Sequence, residues 1–156
     1  MTRAALWLAA ALALSGAPAF AEEHHKLLRQ VPVAISACVS HHASAAPTGE
    51  ALVAHHFSRL AEVFVGRGKA TVVRLSTHQG KPQCTIVGID ATEQQMDLLA
   101  QPWIRGGDAK TTDPFGPLMN KAWRNSVDGK THFLIGLTAQ QDIAGIKGAA
   151  IVVRED

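Results

Sequence analysis

The 156 residues carry 15 basic and 13 acidic side chains, eight histidines and 47% hydrophobic residues, with a formal charge of +2. So even a balance provides no basic stripe for the phosphates of a nucleic acid, and no basic amphipathic helix for a membrane surface. The function classes left open are those of a small domain that binds or assembles, holds a metal, or hydrolyses something.

The chain begins with "MTRAALWLAAALALSGAPAFA", a positive start at Arg3, an apolar run from Ala4 to Leu14, and small residues at Ala19 and Ala21. This order is that of a cleaved export signal, and the run is far shorter than the about 20 residues that span a bilayer. The reading is a leader over residues 1–21, cleavage near Ala21, and a single domain over 22–156 that is periplasmic or secreted, with no stable membrane anchor. Removing Arg3 with the leader brings the formal charge one unit closer to zero.

After the leader, Leu28, Val31, Ile35, Cys38, Val39 and His42 recur at helical spacing. Proline is tolerated in a first helical turn and not in an interior, so the ordered helix is expected to start near Pro32, with residues 22–30 as a frayed lead-in or a short separate turn. "SAAPTGE" interrupts the pattern, and a second helix capped near Thr48 is expected to carry Val53, Phe57, Leu60 and Phe64 on its apolar stripe. "VGRGKA" ends it. The "GRGK" within lacks the spacing of a phosphate-binding loop and leads into a strand, so it reads as a turn.

"KATVVRLST" and "QCTIVGID" then flank "HQGKP" and read as an antiparallel hairpin. "ATEQQMDLLAQ" follows as a short helix capped at Ala91 or Thr92, and "PWIRGGDAKTTDPFGPLMN" as a long loop. "THFLIGLTA" and "GAAIVVRE" are two further strands, preceded by the Asp128-Gly129 turn signal. The fold expected is α+β: an antiparallel sheet of four or five strands, with two N-terminal helices and one shorter helix packed on one face.

The two cysteines, Cys38 and Cys84, both follow the leader, and an oxidising compartment favours their pairing. Such a bridge would pin the first helix onto the first hairpin.

The histidines pose the sharpest question, because six of them form the doublets His24-His25, His41-His42 and His55-His56. Neighbours on a helix point about 100° apart, so one doublet cannot grip one ion with both rings. His24 and His42 lie about 27 Å apart along a continuous helix, and the first doublet adjoins the expected new terminus. An antiparallel pair of helices would instead bring His42, central on its stripe, toward His56 on the flank of the other. These two are the candidate metal ligands, with zinc or copper as the candidate ions, although two imidazoles fall short of a full zinc site. Ordinary structural histidines, or a pH-responsive role, are the competing readings.

The long loop and its flank supply another candidate surface. Trp103, Phe115 and Trp123 are half of the six aromatics after the leader, and a long loop in a small domain is commonly functional. Against this, a domain with so few aromatics needs them for packing. No cofactor is identified by any motif. The order of functional readings is a non-enzymatic exported binding or assembly module for a protein or small ligand, then a transition-metal-binding protein, then a hydrolase with His78 or His132 as base.

Overall fold

The computed structural model describes residues 17–110, 119–126, 128–138, 141–143 and 145–156. Among them are three helices and nine strands. The helices are α1 (Ala17–Ser40), α2 (Ala45–Ala54) and α3 (Glu93–Ile104). The strands are β1 (Phe57–Leu60), β2 (Val63–Gly66), β3 (Thr71–His78), β4 (Lys81–Ile89), β5 (Asp108–Lys110), β6 (Met119–Ser126), β7 (His132–Thr138), β8 (Gln141–Ile143) and β9 (Ile146–Glu155).

All the strands join one antiparallel sheet in the order β1-β2-β3-β4-β9-β7-β6-β5, with β8 pairing β9 beside them. Its first half is the meander β1 to β4. Helix α3 then carries the chain across, and a second meander returns so that β9 closes onto β4, from Gln83↔Arg154 to Ile89↔Gly148. Consecutive β-branched and aliphatic residues in β7 and β9, in the middle of the sheet, are buried on both faces.

Four or five strands with two N-terminal helices is therefore not the architecture, and the sheet is twice as wide as that expectation. The four strands read from β-branched runs are its centre: β3, β4, β7 and β9. The added strands come from three places. Residues assigned to the second helix form β1 and β2. The expected long loop contains the end of α3, β5 and the start of β6. The turn at "QQDIAG" contains β8.

The error at β1 and β2 has a specific cause. Phe57 and Phe64 are buried as the spacing demanded, but as inward-facing strand residues, and Leu60 is exposed. Ala61, at φ 52°, makes the tight turn between the Leu60↔Val63 pair, where an Ala-Glu dipeptide offers no recognisable hairpin signal.

Helix α1 departs from expectation in the opposite direction. It is continuous through Pro32, and residues 22–30 are helical and not a frayed lead-in. An interior proline costs about 3 kcal/mol. Leu27 and Val31 are 5% and 0% exposed, and burying each contributes about 1.5–3 kcal/mol, so packing offsets the break. Similarly, α2 starts at Ala45 with Ser44 as its N-cap, earlier than Thr48, because Pro47 falls in a first turn that needs no amide there. Its reading at the other end is corrected too: it stops at Ala54.

Helix α3 keeps the local rule. Thr92 and Gln95 form a reciprocal capping box, with Gln95 N donating to Thr92 Oγ1 at 3.2 Å and Thr92 N donating to Gln95 Oε1 at 2.8 Å. The core lies between the three helices and one face of the sheet. It is centred on Ile35, Leu52, Val73, Ile86, Met96, Ile135, Ile151 and Val153.

Cys38 and Cys84 are bridged within this core, with Cα atoms 6.1 Å apart, tying α1 to β4. No described helix is long and apolar enough to cross a membrane. The apolar run of the leader lies outside the described residues.

Candidate functional site

Two of the histidine doublets are the ends of helices. At the close of α1, His42 N donates to Val39 O at 3.3 Å and Ala43 N to Cys38 O at 2.7 Å. These are the two bonds of a Schellman motif, with His41 as C-cap and His42 in the left-handed region at φ 54°. The motif's hydrophobic partners, Ala43 and Cys38, are both buried.

The second doublet repeats the device. His55 is the C-cap of α2, and His56, at φ 67°, donates its N–H to Val53 O at 3.0 Å. Leu52 and Phe57, at the positions flanking the cap, share the core cluster. Histidine is among the few non-glycine residues enriched in left-handed backbone. The doublets thus terminate helices.

This geometry also relocates the candidate metal ligands. His42 lies past the end of α1 and not on its apolar stripe. Its ring faces Phe133 at 5.8 Å between centroids, and its Nδ1 is 3.6 Å from Glu155 Oε2. His56 lines a different region, a cleft against the N-terminal half of α1, where it is joined by His25 and His55. Among the described residues no group of three or more His, Cys, Asp or Glu side chains is placed to hold a metal ion.

Of the other histidines, His24 Nδ1 is 3.5 Å from Gln95 Nε2. His78 is exposed at the end of β3, beside the two-residue turn of Gln79 and Gly80. The backbone carbonyl of His132 accepts from Asp156 N at 2.9 Å. Among the described residues neither His78 nor His132 has a carboxylate partner that would make it a base. Trp103 and Trp123 are half-buried and pack against the core from α3 and β6. Phe115 lies outside the described residues.

Among the described residues, two sizeable cavities stand out that the sequence did not announce. The larger, about 980 Å³, lies between α2 and the helix-facing side of β1 to β3. One wall is Ala45, Ala46, Gly49, Val53 and Ala54, and the other includes Phe64 and Leu75. Gly49 is needed here: a Cβ on it would lie 2.8 Å from Phe64 Cζ. Small residues on α2 let the helix rest on Phe64 yet fill little space beside it. Arg59 lies over the Phe64 ring at 6.0 Å, and Glu50, Glu62 and Arg74 also line the cavity.

The smaller cleft, about 630 Å³, is walled by α1, the end of α2 and the β2–β3 turn. Lys26, Arg29 and Arg67 line it together with the three histidines, while its one carboxylate, Glu22, is 2.9 Å from Lys26 Nζ. Gln30 Nε2 donates to Arg67 O at 2.6 Å, fixing the turn against the helix.

Elsewhere on the surface, Lys121 and Arg124 are each paired with carboxylates. Lys121 Nζ lies 3.2 Å from Asp97 and 3.7 Å from Glu93, and the hydrogen bond it donates to Asp97 is the main reason its ammonium is held above its ordinary range. Asp128 is held well below the usual carboxylate range by the backbone N–H groups of Lys130 and Thr131, at 2.8 and 2.6 Å. That carboxylate organises a turn and faces solvent. Burial lowers the pKa of Arg154 on β9, against the opposing charge of Asp156.

No protein-family model matches the chain, and neither the curated proteins nor the solved structures show a significant similarity to it.

Proposed function

We propose that this chain is an exported, non-enzymatic binding module that takes a small apolar ligand in the groove between α2 and β1 to β3. The observation that carries the reading is the groove itself. Its volume of about 980 Å³ is at the upper end of the range of small-molecule sites, and its walls are largely alanine, valine, leucine and phenylalanine. Val53, 52% exposed, would gain most from being covered. Export is supported by the leader's pattern and by the buried disulfide, which an oxidising compartment sustains.

Titration with Nile red, an uncharged apolar dye, tests this. Saturable one-to-one binding is expected, weakened at least tenfold by Val53→Asp and by Ala46→Phe, which fills the groove. Dye binding that both variants leave unchanged, in proteins that unfold at the wild-type temperature, would refute the groove as the site.

A further inference from the structure

We propose that the cleft between α1 and the β2–β3 turn binds a phosphate-bearing anion. The argument begins with charge. The whole chain carries a formal charge of +2, yet Lys26, Arg29 and Arg67, set against Glu22, place the same net charge in this one cleft. The cations come from separate elements. Lys26 and Arg29 stand one turn apart on α1, and Arg67 arrives from a turn 37 residues beyond Gln30, which holds its carbonyl. His55 and His56 stand at the C-terminus of α2, while the three permanent cations come from α1 and the β2–β3 turn.

Gathering like charges raises the free energy of the empty cleft, and a dianion relieves it. A phosphate monoester carries about −1.5 to −2 charges near neutrality, which matches the net charge of the lining. Guanidinium groups supply the paired donors that fit its oxygens, and lysine supplies a point charge. Lys26 is positioned for this, because its stem packs on Gly68, where a Cβ would lie 2.9 Å from Lys26 Cδ. The cleft is separate from the apolar groove, and no side chain lines both.

The phosphate could be free in solution or displayed by a lipid headgroup, and two arms of one experiment separate these sources. Untagged protein is titrated calorimetrically with pyrophosphate at pH 7 and low salt, and is sedimented with vesicles of phosphatidylcholine alone or containing phosphatidic acid, a phosphate monoester. Each arm uses the wild type, the Arg29→Gln/Arg67→Gln double variant, and a Lys81→Gln/Arg105→Gln variant that loses equal charge elsewhere. Pyrophosphate binding weakened at least tenfold by the first pair and less than threefold by the second supports a free phosphate ligand. Sedimentation only with the vesicles containing phosphatidic acid, lost only in the first pair, supports a headgroup. No binding in either arm, or equal losses in both variants, overturns the proposal. Thermal unfolding of each variant guards against a loss that merely reports misfolding.

Discussion

Replacing both Cys38 and Cys84 with alanine should lower the unfolding temperature by about 14 °C. The bridge closes a loop with a sequence separation of 46, and the chain-entropy model assigns such a loop about 4 kcal/mol at 25 °C. The unfolding entropy of a domain of about 135 residues, at about 2.1 cal/mol/K per residue, is about 0.28 kcal/mol/K, which converts the loss into that shift. Alanine is the right replacement because both cysteines are 0% exposed. Serine would bury a hydroxyl, and an unsatisfied one costs about 1–3 kcal/mol of its own. The assay is thermal unfolding followed by far-ultraviolet circular dichroism, with oxidation of the wild type verified by mass. A drop below about 4 °C would refute the reasoning. It would mean that apolar burial of α1 against β4 restrains the chain without the covalent link.

Three other outcomes follow from backbone and charge geometry. His56→Gly should stabilise the fold by about 0.5–1 kcal/mol, since glycine adopts a φ of 67° without the left-handed penalty, whereas His56→Val should destabilise it by about 1–2 kcal/mol; urea unfolding that ranks them in reverse would count against the cap. Gly148→Ala should cost about 3 kcal/mol or more, because the new Cβ would sit 2.0 Å from the backbone oxygen of Gly88, which cannot move aside as a side chain could; near-wild-type stability would contradict that close approach. Asp128→Asn should lower the unfolding temperature most above about pH 5. The folded-state pKa is depressed, so the stabilisation is complete above the unfolded value near ~4 and is lost as pH falls through the lower folded value. A gap between Asp128→Asn and wild type that stays constant down to pH 2 would show that ionisation is not what holds the turn.

Local signals in the sequence determined a good part of this protein. The Thr92 cap was visible beside the start of α3, and the β-branched runs marked β3, β4, β7 and β9, because those strands lie at the sheet's centre and must be apolar. The pairing of Cys38 with Cys84 needed only their number and the leader ahead of them. Export itself is a reading of the first 21 residues alone. Edge structure was another matter. The segment "MNKAWRNS" is polar, and it becomes β6 because β7 offers it a ladder of hydrogen bonds, a partner its own composition does not announce. Phe57 and Phe64 fit a helical stripe as well as two strands, and only pairing with β3 and packing under Gly49 distinguishes the two.

The histidines show the same division at the level of the site. Their spacing suggested ligands projecting from helices, but spacing presumes a helix that continues through them. Both doublets lie where the helix stops, and the stop is set by φ values and carbonyl partners that sequence periodicity does not express. The two cavities are further still from the linear chain. Each gathers residues from α2 or α1 and from strands or turns further along the chain, so its lining exists only after the sheet has formed. Local chemistry decides which elements can form, while long-range burial and hydrogen bonding decide their edges, their ends, and the spaces left between them.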